Sequence, residues 1–191
     1  CVANIDGAFR YTMAGDHYAS FYGKDQVAWS IRFGDQESER AFAIHVLLAQ
    51  YLVGGMQAMV TLDEVVPGSG HVVESGDMLG LKYTAWLVAE NGACGKQLDT
   101  NTDKSAFYKL RLGDRGAMLA GWHDALAGMR KGGRRLVVLP PELAYGQAGA
   151  PPAVPASTSV VFELEICRLK SAAHQLNTSL DSAMPSPVPS I

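Results

Sequence analysis

The sequence predicts an α+β fold, an antiparallel sheet wrapped on one short helix and preceded by a strand-and-helix segment. Three observations predict it. Leu79, Leu81, Tyr83, Ala85 and Leu87 alternate along one run, which gives a long strand a single apolar face. Val160, Phe162, Leu164 and Ile166 alternate against Val161, Glu163, Glu165 and Cys167 in a second run. Between them one helical pattern spans about Leu119 to Met129 and is closed by Lys131-Gly132-Gly133.

The elements follow in order. Short strands are predicted around Phe9 to Met13 and Tyr18 to Tyr22, and a better one over Val27 to Phe33. A helix comes next, with Asp35 as N-cap and Glu37 and Glu39 in its first turn. Its apolar positions Phe42, Val46, Ala49 and Val53 recur at three- and four-residue spacing, and Gly54-Gly55 stops it. That face needs a partner, and the first piece ends near residue 55. The second piece, 58–170, opens with Val60 to Val65, turns at Pro67-Gly68-Ser69-Gly70, and resumes as the strand Asp77 to Ala89. A strand over Phe107 to Leu112 precedes the short helix. Arg134 to Leu139 forms another strand that stops at Pro140-Pro141, and a loop rich in Ala, Gly and Pro runs to Pro155 before the last strand. The third piece, 171–191, is rich in Ser, Ala and Pro and reads as a mobile linker of polyproline character.

The composition suits a soluble globular chain: 48% hydrophobic and 18% charged residues. Sixteen Lys and Arg against nineteen Asp and Glu leave a net charge of −3, too weak and too mixed for an electrostatic footprint on nucleic acid or anionic lipid. Cys1, Cys94 and Cys167 fit neither a disulfide framework nor a zinc site, and point to a reducing, cytoplasmic setting. No apolar run reaches the roughly 18 residues of a membrane span. The chain opens on Cys1 and not Met, so it is expected to be a piece of something longer.

Ordinary catalytic arrangements are missing. There is no nucleophile elbow, no phosphate-cradling loop and no His-Glu-x-x-His, and the five histidines share no ligand spacing, so neither metal nor cofactor is expected. What stands out is an aromatic set: Tyr83, Tyr108, Trp122, Tyr145 and Phe162. From periodicity these side chains read as core. An apolar site rimmed by phenol hydroxyls would also suit a proline ring.

A series of matched blocks bears on that choice. Val65-Val66-Pro67-Gly68-Ser69-Gly70, Gly76-Asp77, Leu81-Lys82-Tyr83-Thr84, Gly95 to Thr100, Leu112-Gly113, Leu119-Ala120-Gly121-Trp122, Gly128-Met129, Leu143-Ala144-Tyr145-Gly146 and Val160 to Glu163 resemble, in order and nearly in spacing, the FKBP-type peptidyl-prolyl isomerase family. The resemblance implies a half-barrel antiparallel sheet around one helix and isomerisation of Xaa-Pro bonds in proline-containing peptides or proteins. It makes Trp122 the floor of a proline pocket, with Tyr83, Tyr108, Val154 and Phe162 as walls and Asp99 and Tyr145 as polar groups at the rim. Leu98 lines the same pocket. Met118 and Leu119 stand where backbone groups of the family hold the ligand, Leu119 through its N–H, although one extra residue near Gly116 shifts that part of the match. Leu98 and Tyr108 each stand where the family usually has Phe, and Ala150 and Ala153 replace larger side chains. These departures point to reduced turnover. Macrolide immunosuppressants such as tacrolimus and rapamycin are the ligands the resemblance brings with it.

The first piece carries a second resemblance. Tyr18-Ala19-Ser20-Phe21-Tyr22, Trp29-Ser30-Ile31-Arg32-Phe33 and the helix after Asp35 look like the end of a WASP-homology, pleckstrin-like domain. That implies actin-cytoskeleton partners, endosome association, and an alternative function as a catalytically weak interaction module.

Overall fold

The computed structural model describes residues 5, 9–14, 17–24, 26–114 and 119–172, and for 14 and 60–65 the backbone alone. Three short strands come first, β1 (Tyr11–Ala14), β2 (Tyr18–Tyr22) and β3 (Ala28–Arg32), paired antiparallel in the order β1-β2-β3. Helix α1 (Gln36–Val53) follows. The Asp35 carboxylate accepts the Ser38 N–H at 2.7 Å, and Gly54 closes the other end through its N–H to the Gln50 carbonyl.

Residues 60–170 build the main sheet from β4 (Val60–Val66), β6 (Met78–Val88), β7 (Cys94–Thr100), β8 (Tyr108–Arg111), β10 (Arg134–Leu139) and β11 (Val160–Lys170). The order is β4-β10-β11-β6-β7, and β8 pairs with the other half of the same β6 edge. Two short strands, β5 (Ser69–Val72) and β9 (Arg130–Lys131), pair beside it. Helix α2 (Trp122–Leu126) lies on one face, and a turn of 3-10 helix spans Pro141–Leu143.

Strand alternation divides the apolar residues between two cores. On the α2 face Leu79, Leu81, Ala85, Val137, Leu139, Val160, Phe162, Leu164 and Ile166 pack with Trp122, Ala125 and Leu126. On the opposite face Leu136, Val138 and Val161 pack with Ala43, Ile44, Leu47, Leu48 and Tyr51 of α1, with Trp86 and Val88 at the edge. The sheet is therefore filled on both sides over this stretch, and α1 has the partner its apolar face required. The hydroxyl of Tyr51 pins the packing, donating to the Met56 carbonyl at 2.6 Å and meeting Ser159 Oγ at 2.9 Å.

The expected antiparallel sheet on one short helix is present, and the helix of the first piece covers its other face. Two expectations change. The stripe Phe42, Val46, Ala49, Val53 is not the face α1 turns to that sheet: Phe42 meets Tyr11 and Phe33 at 5.3 Å each on the small-sheet side, and Val53 is 63% exposed. A helix buried on two sides blurs its own period. The second helix is five residues, not eleven, because Gly121 precedes it and Gly128, in a left-handed conformation, follows. Strands β5, β7 and β9 carry no clean alternation and were not expected. The linker expected at 171–191 lies outside the described residues beyond Ala172.

Candidate functional site

Trp122 opens α2 and enters the main core with 5% exposure. Its position depends on Gly121, where a Cβ would lie 2.6 Å from Leu139 Cδ2, so a side chain there would push the helix off β10. The Gly121 N–H donates to the Leu143 carbonyl at 2.9 Å and ties the helix start to the loop that carries Tyr145.

Three rings stand edge-on to the indole. Phe162, from the start of β11, lies 5.4 Å away at 90°, Tyr108 from β8 at 5.5 Å and 83°, and Tyr83 from β6 at 5.6 Å and 66°. Tyr83 and Tyr108 also meet each other at 6.0 Å and 88°. Edge-to-face pairs at these separations are the favoured aromatic geometry, each worth roughly 0.5 to 1.5 kcal/mol beyond its buried area. Phe162 is buried; Tyr83, Tyr108, Leu98, Leu119 and Tyr145 are half-buried against the same core. The indole Nε1–H is buried with no hydrogen-bond partner among the described residues.

Polar groups gather above the rings. The Tyr83 hydroxyl donates to Asp99 Oδ2 at 2.6 Å, and Oδ1 of the same exposed carboxylate accepts the Thr100 N–H at 2.8 Å. Burial, the hydrogen bond to Asp99 and the charge of Asp99 push the Tyr83 hydroxyl well above the usual phenol range. Burial also raises Tyr145, assisted by Asp99 and Tyr108. Both phenols are therefore held neutral, and that of Tyr83 is a hydrogen-bond donor.

The loop after β10 carries Tyr145 and Val154. Gly146 donates its N–H to the Pro141 carbonyl at 2.7 Å and fixes the turn around Tyr145. Gly149 sits at φ +69°, with the carbonyl oxygens of Val154 and Pro155 only 2.5 Å from where a Cβ would be. Ala150 and Val154 exchange backbone hydrogen bonds at 2.9 and 3.0 Å, which turns the buried Val154 inward and leaves Ala150 and Ala153 exposed at the tip. Of the predicted site residues, Tyr83, Tyr108, Trp122 and Phe162 are thus in ring contact, Asp99 is bonded to Tyr83, and Leu98, Leu119 and Tyr145 pack on that core. Met118 lies outside the described residues.

Asn101 was not anticipated. It is 5% exposed, accepts the Tyr83 N–H at 2.7 Å, donates Nδ2 to the Leu81 carbonyl at 3.1 Å, and gives its own N–H to the Tyr83 carbonyl. It therefore closes the gap where β7 leaves β6 and β8 joins it, and holds the backbone that aims Tyr83. An Asn at a strand end reads as a turn residue in sequence, so only the fold reveals this role.

The arrangement is an apolar aromatic floor with neutral phenols and one carboxylate at its rim. Among the described residues it contains no nucleophile aligned with a base. It suits binding of a compact apolar ring whose flanking amide meets the polar groups.

Comparison with known proteins follows the same lines. The model of the FKBP-type peptidyl-prolyl cis-trans isomerase family matches residues 70–167. FK506-binding protein 15 of Homo sapiens is 34% identical over 195 residues, covering 98% of this chain and 16% of that protein. FK506-binding protein 5 of Dictyostelium discoideum is 32% identical over 163 residues, covering 85% of this chain and 10% of that protein. The chain thus spans a small part of these relatives' length, and the human match runs beyond the family's own domain into the segment that carries α1.

Proposed function

The chain belongs to the FKBP-type peptidyl-prolyl cis-trans isomerase family, and from that premise we propose that it isomerises Xaa-Pro bonds by seating the proline ring over Trp122. The observation that carries the reading is the convergence of Tyr83, Tyr108 and Phe162 edge-on to one indole, beneath a Tyr83–Asp99 hydrogen bond.

Rotation about the Xaa-Pro bond faces a barrier of about 18 to 20 kcal/mol, because the planar amide is resonance-stabilised. The twisted transition state loses that charge separation. An apolar floor favours the less polar twisted amide over the planar one, so the pocket binds the transition state better than the ground state. Val154 and Leu98 complete the apolar wall. Asp99 and the Tyr145 hydroxyl meet the rotating amide, and the Leu119 N–H holds the chain beside it. No group exchanges a proton or forms a bond with the substrate. Macrolides of the FK506 kind, which the relatives' names record, are proposed to compete for the same pocket.

A second reading is a module of the same fold that binds without turnover, within an assembly associated with actin or endosomes. Leu98 and the exposed Ala150 and Ala153 favour it, since they leave the rim with less apolar wall, and residues 1–55 resemble a WASP-homology segment. Losing one aromatic wall removes about 1 to 3 kcal/mol of contact, enough to slow turnover while binding persists.

The test is a coupled isomerisation assay on a short Xaa-Pro peptide with the full chain, beside Tyr145→Phe and Trp122→Ala. A rate above background that falls in both variants supports the enzyme. A wild-type rate equal to background, with the peptide still bound in a titration, favours the module; no binding at all overturns both.

A further inference from the structure

The outer face of the main sheet is covered by α1 only at the end bearing Trp86, Val88, Leu136, Val138 and Val161. At the other end the register places Gly80 between Lys109 of β8 and Arg168 of β11, and Met78 between Arg111 and Lys170. Leu79, Leu81 and Leu110, the alternate residues, are in the inner core, so these four cations stand on the outer face. All four are exposed. Neighbouring strands lie about 4.8 Å apart and alternate residues about 7 Å apart, so the backbone positions of the four residues mark the corners of a rectangle of about 10 by 7 Å.

The plate is organised. A Cβ on Gly80 would lie 3.0 Å from Arg168 Cβ and 3.4 Å from Phe107 Cβ, so the missing side chain lets Arg168 lie across β6. Its guanidinium sits 4.7 Å from the Phe107 ring centroid, while still exposed. The next position in register pairs Glu165 with Lys82, but the Lys82 ammonium donates to the Asn101 carbonyl at 2.8 Å and to the Lys104 carbonyl, and so belongs to that loop. Glu165, the acid nearest in register, stands one row beyond the four cations. A chain of net charge −3 thus carries a concentrated positive face.

We propose that this face docks on an anionic phospholipid bilayer. Four cations rooted on an open sheet face do not enclose a compact ligand, and the spacing of their strand positions is close to that of lipid headgroups in a bilayer surface. Reading a nucleic-acid duplex would take a helix or ribbon projecting into a groove, which this face lacks. Met78, half-buried between the two cation rows, offers an apolar tip that a lipid interface accepts and a row of phosphates does not. Each Lys or Arg held near an anionic leaflet strengthens binding about fivefold at physiological salt. The proposal is independent of any isomerase activity, since the plate and the Trp122 pocket lie on opposite faces of the sheet.

The test is co-sedimentation of the full chain with phosphatidylcholine vesicles with and without phosphatidylserine, at about 0.15 M ionic strength. Binding is expected only to the anionic vesicles and should weaken with added salt. Lys109→Glu with Arg111→Glu should weaken it by about 25-fold or more. Lys24→Glu with Lys96→Glu, which makes the same change in net charge at exposed sites elsewhere, should leave it within about twofold. Thermal melts of each variant identify any that fail to fold, and Lys170→Glu alone then serves as the second probe, expected to cost at least about fivefold. Equal binding to neutral vesicles, an equal loss in the control pair, or tighter binding to a DNA duplex than to the vesicles at the same salt would each overturn the proposal.

Discussion

The hydroxyl of Tyr83 and the carboxylate of Asp99 are joined at 2.6 Å across neighbouring strands, with the tyrosine as donor. The bond needs a protonated phenol, and its cost appears at high pH. Because the folded-state pKa of Tyr83 is raised, its contribution to stability is complete below the ordinary phenol value of about 10 and declines as pH rises above it. Melting temperature should therefore fall in alkali, and the fall should be shallower in Tyr83→Phe. In Asp99→Asn, ultraviolet titration should find the phenol ionising at lower pH than in the wild type. An unchanged titration in Asp99→Asn would mean the carboxylate does not hold that proton.

Asn101→Ala removes the side-chain acceptor of the Tyr83 N–H and the donor to the Leu81 carbonyl, both inside the structure. The expected loss is about 2 to 3 kcal/mol, seen as a lower urea midpoint. Peptide binding should weaken further than the loss of folded protein explains, because Tyr83 loses its anchor. Wild-type affinity in the folded fraction would reduce Asn101 to a stitch between strands.

Asp77 is 2% exposed. Burial raises its pKa, but N–H donors from Ala172 and Glu74, together with His71, outweigh burial and hold it below the usual carboxylate range. With a depressed folded-state value, its contribution is present above about pH 4 and is lost as pH falls through the folded-state pKa. Asp77→Asn should lower stability at neutral pH by about 3 kcal/mol and flatten the acid limb of the pH–stability curve. An equally steep acid limb in the variant would assign acid sensitivity to other carboxylates.

Leu47 has no exposed surface and lies between α1 and the back of the sheet. Leu47→Ala should cost about 2 to 5 kcal/mol in chemical denaturation, as a buried leucine does. The loss should appear as one shifted transition that tryptophan fluorescence and circular dichroism report together, since both cores share β10 and β11. Two separated transitions would show that the helix segment unfolds by itself.

How far the sequence disclosed this structure varied with how many faces each element buries. The runs at Leu79 to Leu87 and Val160 to Ile166 alternate because, along most of their length, one side meets the core and the other meets something more polar; both strands could be read directly. Asp35 announced the start of α1 because capping is local chemistry. The aromatic set was visible as residues, but its convergence on Trp122 joins β6, β8, α2 and β11, and only resemblance to known sequences suggested it. Two things were hidden. One was the packing of α1 on the back of the sheet, because Leu136 and Val138 look no different from Val137 and Leu139 in a strand apolar on both sides. The other was Asn101, whose value lies in being buried where three strands diverge.

Strand order has a consequence for biosynthesis. The sheet runs β4-β10-β11-β6-β7, so β11, the last of these strands to be made, fills the slot between β10 and β6. During translation neither Phe162 nor Val161 exists while the apolar runs of β6 and β10 are already outside the ribosome, and those two strands have no partner in common until β11 arrives. Neither core can close before residue 170 has emerged. Until then the nascent chain carries unpaired strand edges and uncovered leucines and valines, the surfaces that invite aggregation and recruit chaperones. The final insertion of one strand then completes both cores together.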